Sequence, residues 1–206
     1  MPRIDLNVPF SEKDDAKQLG ARWDANKKIW FIPEHLDPSV FRRWLPQALD
    51  IGIRAERYFI AKTAKHCWKC GAVTRVFGVG VPPGHETLEL DEEEEGTYCW
   101  CASGQPSFVH YVTDLLPKVA ARIGGLSRYY RVDFSKTTQS SYWMNHCEHC
   151  GIKQGDFEMY CEPSGAFFPM SKEAASLIVL EVIAEPFGCN GSTSYGDHFF
   201  DFMRWF

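Results

Sequence analysis

Apolar and polar residues alternate from Ile4 to Phe10, a period that predicts a half-buried strand stopped by Pro9. Ser11 then offers an N-cap acceptor. Ala16, Leu19 and Ala21 recur at helical spacing beneath Lys13, Asp14, Asp15 and Lys17, which predicts a short amphipathic helix ending near Gly20. Trp23 and the run Trp30-Phe31-Ile32 read as aromatic strand segments around a polar turn at Asp24-Ala25-Asn26, and Pro33 closes them. A second short helix is expected from His35 to Leu45, where Val40, Phe41, Trp44 and Leu45 can cover one face of the hairpin. Residues 1–50 therefore read as a small strand-helix-hairpin module.

Beyond it the pattern turns to strands. Tyr58-Phe59-Ile60 and Val73 to Val81 flank a first cysteine pair, and Pro82-Pro83-Gly84 breaks the chain. Between Tyr111 and Ile123, the residues Leu115, Leu116, Val119, Ala120 and Ile123 share a helical face, provided the helix starts near Pro117; Gly124-Gly125 stops it. Strands are expected over Tyr129 to Phe134, Phe157 to Tyr160 and Ser176 to Ile183, and a polar loop over Gly188 to Gly196. The closing aromatics Phe199, Phe200, Phe202, Trp205 and Phe206 are expected to cover their own module's core, a docking tail being the alternative. The fold class is α+β: a strand-helix-hairpin module over 1–50, followed over 51–206 by a mainly antiparallel β, zinc-ribbon-like domain with a helical insertion.

The strongest chemical signal is a repeat. Cys67-Trp68-Lys69-Cys70-Gly71 and Cys147-Glu148-His149-Cys150-Gly151 share the spacing C-x-x-C-G. Two intervening residues let both sulfurs of a pair face one tetrahedral ion, and the glycine permits the positive φ that closes the turn. Cys67, Cys70, Cys147 and Cys150 are thus expected to hold one structural Zn2+, with no coordination position left for water or substrate. The segment between the pairs must then be a folded insertion. Cys99, Cys101, Cys161 and Cys189 could build a second site with His85, His110 or His198, but buried or lone thiols are the plainer reading. His66, His146 and His149 flank the knuckles and are expected to be exposed or to support the ligands.

Composition narrows the setting. Hydrophobic residues make up 45% and charged residues 24% of the 206, a globular balance, and the net charge of -5 gives no global attraction to nucleic acid or anionic membrane. No signal segment or apolar run long enough to span a bilayer is seen, so a cytoplasmic, reducing setting is expected, where cysteines serve more often as ligands than as disulfides. Charge is unevenly spread. Asp91 to Glu95, preceded by Glu86 and Glu89, reads as a solvated acidic loop, whereas Arg54 to Arg75 is basic.

Ile4-Asp5-Leu6-Asn7-Val8-Pro9-Phe10, Glu12-Lys13-Asp14, Ala16-Lys17, Leu19-Gly20-Ala21-Arg22-Trp23-Asp24, Lys28 and Trp30 together resemble a domain of unknown function found at the N-termini of TraC-like plasmid primases and other bacterial DNA-processing proteins. No primase catalytic constellation follows, so the resemblance implies a module and not an activity. The cysteine region, including Ser141 to Gly151 and Gln154-Gly155-Asp156-Phe157, is similar to a zinc-binding region of uncharacterised bacterial proteins, which implies metal but no reaction.

Three functions follow in order. The first is a non-enzymatic bacterial zinc protein that contacts nucleic acid, single strands above all, through the basic flank of the first knuckle and through Lys13, Lys17, Arg22, Trp23, Lys27, Lys28 and Trp30, which combine phosphate-binding cations with rings able to stack on bases. Against it stands the reading in which the tryptophans are core and the lysines only cover it. The second is a protein-interaction adaptor. The third is an enzyme built around Asp156, Glu158, Asp197 and His198, for which no organising motif is present.

Overall fold

The computed structural model describes residues 4–33, 35–44, 51–91, 98–194 and 199–206. Leu45, most of the acidic run (Glu92 to Glu95), and Asp197 and His198 of the expected catalytic cluster lie outside the described residues. The chain divides into two compact units, Met1–Ala48 and Leu49–Phe206.

In the first unit, strands β1 (Ile4–Leu6), β2 (Arg22–Asp24) and β3 (Ile29–Ile32) form an antiparallel sheet with β3 in the centre, and α1 (Lys13–Gln18) joins β1 to β2. Leu6, Ala16, Ala21, Ile32, Phe41 and Trp44 form its core. Ser11 does not cap α1: it sits inside a 3-10 turn, Phe10–Glu12, whose last residue precedes the helix without a side-chain cap bond. The expected second helix is a 3-10 segment, Pro38–Trp44, and its Trp44 indole donates to Glu12 at 2.7 Å. Gly20 has φ +97, a left-handed value that L side chains resist, as expected where the chain leaves α1.

The second unit is built on the hairpin of β5 (Tyr58–His66) and β6 (Val73–Val81). Before it comes β4 (Ile53–Ala55). After it come β7 (Glu86–Leu90), β8 (Tyr98–Ala102), β9 (Ser107–His110), α2 (Pro117–Gly124), β10 (Tyr130–Ser135), β11 (Ser140–His146), β12 (Lys153–Gln154), α3 (Lys172–Ala175), β13 (Val179–Ile183), β14 (Phe187–Cys189), β15 (Ser192–Thr193) and β16 (Arg204–Trp205). Six strands run in the order β15-β9-β6-β5-β13-β16, four in the order β14-β4-β7-β8, and three in the order β10-β11-β12. Apart from the parallel pair β13–β16, these ladders are antiparallel. The unit is thus mainly antiparallel β with a few short helices.

Tyr58, Phe59, Ile60 and Ala61 are all buried, a continuous run that fits a strand covered on both faces. Tyr58 and Ile60 join a cluster with Val79, Val109, Val119, Ile123 and Phe187. Phe59 and Ala61 face the other way, toward Phe108, Met159, Tyr160, Phe167, Phe200 and Met203. Of the closing aromatics, Phe200 is core, Phe199 is partly buried against it and Trp205 packs edge-on against Phe59 at 5.3 Å, whereas Phe202, Trp205 and Phe206 leave much of their surface exposed, so the expectation that they cover the core holds only in part. Pro117 opens α2, where a missing N–H costs nothing.

In the second unit two further expectations fail. Phe157 to Tyr160 is not a strand but part of a π-helical turn, Phe157–Cys161. Successive residues of a strand face opposite sides, whereas Met159 and Tyr160 must both enter the cluster around Phe108, and one turn of helix allows that. The stretch from Gly188 is not a plain polar loop either, because β14 and β15 lie within it and edge two different sheets.

Candidate metal centre and nucleic-acid interface

Both cysteine pairs sit at hairpin tips, the first between β5 and β6, the second between β11 and β12. The two tips repeat each other bond for bond. Cys67 N–H donates to Ala72 and accepts through its carbonyl from Gly71, each at 2.9 Å; Cys147 N–H donates to Ile152 at 2.8 Å and its carbonyl accepts from Gly151 at 2.9 Å. Gly71 and Gly151 have φ +73 and +71, which explains the glycine after each pair.

The tips meet. Cys67 Sγ lies 3.7 Å from Cys150 Sγ, Cys70 Sγ lies 3.7 Å from Cys147 Sγ, and all four sulfurs are within 4.8 Å of one another. All are free thiols, far beyond disulfide distance. Cys67 and Cys147 are buried, Cys70 and Cys150 exposed. Such a set can hold one metal ion. Among the described residues it is the one group of three or more cysteine, histidine or acidic side chains with that property.

The backbone prepares the sulfurs for negative charge. Burial alone would raise the Cys67 thiol, but N–H groups of Cys70 and Lys69, with the neighbouring sulfurs, outweigh it and bring the pKa down to about 6. Cys147 is likewise lowered: burial opposes, and the N–H groups of Cys150 and His149 prevail. Cys70 goes the other way. The Ala72 N–H pulls it down, yet partial desolvation of the sulfur and the neighbouring sulfurs of Cys150, Cys67 and Cys147 carry it up to about 12, as expected when like charges share a small volume.

Side chains brace the junction between the hairpins. Glu148 accepts from the Arg75 guanidinium at 2.6 Å and from the Arg75 N–H at 3.1 Å, while the Glu148 N–H donates to buried Thr74 Oγ1 at 3.0 Å. His149 Nε2 meets the Val73 carbonyl at 2.9 Å, and the Trp68 indole donates to Lys153 O at 2.8 Å. Gln154 points its amide N–H at Cys67 Sγ, 3.5 Å away. Of the flanking histidines, His66 and His149 are exposed and His146 is buried, 2.9 Å from Asp133. His146 and then Lys153 hold the Asp133 carboxyl well below the usual carboxylate range. Thr74 carried no signal in the sequence, and the contacts of Arg75 and Gln154, one read only as part of a basic flank and the other only within a zinc-region resemblance, depend on which hairpin faces which.

In the first unit, Trp23 and Trp30 are directly opposed across β2 and β3, their rings 5.6 Å apart. They line a groove of about 1010 Å³ together with Phe10, Lys13, Lys17 and Lys28. Phe10 is 83% exposed with Lys13 Nζ 4.0 Å above its ring, and Trp23 is half exposed. Asp14 is the single acidic residue of the lining. Asp24 shapes the turn that delivers Lys28, accepting from Asn26 and Lys27 N–H groups at 3.0 Å each, and Lys28 itself takes φ +52. Five of the seven residues expected to contact nucleic acid are therefore brought together: Lys13, Lys17, Trp23, Lys28 and Trp30. Arg22 and Lys27 are exposed but do not line the groove, Arg22 because its neighbour Trp23 holds the other side of the strand.

Residues 3–46 match a domain of unknown function, DUF5710. This N-terminal unit is similar to part of DNA primase TraC from Escherichia coli, with 43% identity over 53 residues in one case and 49% over 48 residues in another. Those matches cover 26% and 23% of this chain but only 5% and 3% of the primases. No solved structure matches the chain. No described helix is long and apolar enough to cross a membrane.

Proposed function

We propose that this protein binds single-stranded nucleic acid through the DUF5710 groove and that its second unit is locked by one structural zinc ion. The observation that carries the first part is the groove itself, where three lysines and three accessible rings share one wall against one aspartate. Ammonium groups there neutralise phosphates, and indole faces stack on unpaired bases without regard to sequence. The net charge of -5 gives no global attraction to a polyanion, so binding rests on local basic surfaces, this groove first and the basic Arg54 to Arg75 flank second. The relatives' printed name, DNA primase, agrees with such a substrate.

Zinc fits the sulfur cluster on distance and chemistry. Zn–S bonds of about 2.3 Å place tetrahedral sulfurs about 3.8 Å apart, close to the two cross-pair separations of 3.7 Å. Four thiolates complete the shell, so the ion clamps and does not polarise a substrate. Cys67, Cys70, Cys147 and Cys150 would be its ligands.

Titration of the full chain with single-stranded and double-stranded oligonucleotides at two salt concentrations tests the proposal. Preference for the single strand and an affinity that falls with salt, with log K against log salt sloping by about -0.7 for each phosphate neutralised, are expected. Equal binding of both forms, or none, refutes it.

A further inference from the structure

We infer that Cys99 and Cys101 form a second metal site, a two-sulfur clasp for a soft monovalent cation of the copper(I) class. The two residues hold alternate positions on β8, the outer strand of the four-stranded sheet, so both side chains leave the same face. There they turn toward each other. Cys99 Sγ and Cys101 Sγ are 3.5 Å apart, closer than the 3.7 Å cross-pair separations of the four-cysteine cluster. Both are free thiols and partly exposed, open to an incoming ion.

The number of donors selects the ion. Zinc takes four ligands in a structural site, and among the described residues the four-cysteine cluster is the one group of three or more cysteine, histidine or acidic side chains placed to hold a metal. Copper(I) is satisfied by two thiolates, and thiolates are the donors that select it over harder ions. A disulfide is the competing use of the pair. Alternate residues of a strand stand about 6.4–6.8 Å apart, at the far end of the separations a disulfide spans, and the ladder that pairs Glu86 to Leu90 with Ala102 to Tyr98 keeps β8 extended. Drawing the sulfurs from 3.5 Å to about 2.05 Å would strain that ladder, whereas an ion seated between them asks for no such approach.

The surrounding carboxylates draw a cation to the pair and also hold its protons. Glu89 lies directly across from Cys99, and Thr87 across from Cys101, with the Thr87 hydroxyl donating to Glu89 at 2.7 Å. The hydrogen bond with Cys99, then partial desolvation and the charges of Cys99, Glu89 and Asp91, push the Cys101 thiol up. A bound metal reverses that balance, since a coordinating thiol is deprotonated outright. One copper(I) ion and two thiols give a copper(I) bis-thiolate and two released protons, with no change of oxidation state. Glu89, a hard oxygen donor, stays outside the shell and acts through its charge.

The clasp shares no residue with the groove or the four-cysteine cluster. Its test is a titration of the full chain, reduced, zinc-loaded and free of oxygen, with copper(I) presented as the complex of a coloured copper(I) chelator. One copper(I) per chain should transfer with the zinc retained, the affinity should climb with pH as thiol protons are displaced, and the copper absorption edge should show sulfur neighbours alone. Cys99→Ser and Cys101→Ser should each lower the affinity at least tenfold, with melting temperature and zinc content near those of the parent, while Cys161→Ser should leave it unchanged. No transfer, transfer matched by release of zinc, transfer that survives both serine substitutions together, or a Cys99–Cys101 disulfide that persists in reductant would overturn the assignment.

Discussion

Asp156 is buried in the second unit, and its Oδ2 accepts the Tyr111 N–H at 2.8 Å. Burial, only partly opposed by that bond, lifts its pKa to about 7, from a usual value of about 3.9. A raised folded pKa means stability that is fully present below the unfolded value and is lost as pH rises through the folded one. His110 works in the opposite sense over nearly the same window. Its folded pKa of about 4 against about 6.5 unfolded means that stability is gained as pH rises between those values. In the parent the two slopes largely cancel between about pH 4 and 6.5. Asp156→Asn keeps an acceptor for Tyr111 and removes one slope. Chemical denaturation of this variant across that range should show stability climbing by up to about 1.4 kcal/mol per pH unit, with a gain over the parent at pH 8. A flat profile for the variant would mean that His110 is not held neutral by burial. Such burial was invisible in the sequence, where Asp156 stood in the zinc-region resemblance and in an unorganised cluster with Glu158, Asp197 and His198. Cys67, Cys70, Cys147 and Cys150 were legible because their partners are three residues away and their chemistry is carried by spacing; the burial of Asp156 and His110 has no such local signature.

Among the elements, the hairpins that carry the cysteines were readable from alternation and from the glycine after each pair, since a turn's φ demand is local. The π-helical turn at Phe157–Cys161 was not, because its aromatic residues favour strands in isolation and only the receiving cluster decides otherwise. The boundary strands β14 and β15, three and two residues long, likewise owe their form to the sheets they edge. The central strand β6 shows how tightly these layers fit. A Cβ on Gly80 would stand 2.7 Å from the Ser107 carbonyl oxygen on β9 and would drive into the Phe59 ring on β5. Backbone on one side and a fully buried ring on the other leave no slack, so Gly80→Ala should cost about 3 kcal/mol in urea denaturation. A change below about 0.5 kcal/mol, the range of ordinary surface substitutions, would show that the β5–β6–β9 packing is looser than described.

At the scale of the molecule, the proposal assigns each unit its own role. In the groove, Trp23→Ala removes a half-exposed stacking face and should weaken single-strand binding by about 1–3 kcal/mol, while Lys28→Ala should mainly reduce the salt slope. Arg22→Ala, outside the lining, serves as the control and should change little; a loss as large as that of Trp23→Ala would move the binding surface to the other side of the sheet. In the second unit, the proposed zinc ion would supply, between two hairpin tips, what a core cannot. Cys150→Ser leaves three sulfurs crowded without a full shell, and the purified variant should lose the ion and unfold well below the parent's melting temperature. Retention of one ion and an unchanged melting temperature would exclude the cysteine clamp. The most direct measurement is X-ray absorption at the zinc edge on the freshly purified full chain. One zinc per chain with four sulfur neighbours at about 2.3 Å is the predicted result, and a shell containing nitrogen or oxygen, or a folded protein without zinc, would contradict it.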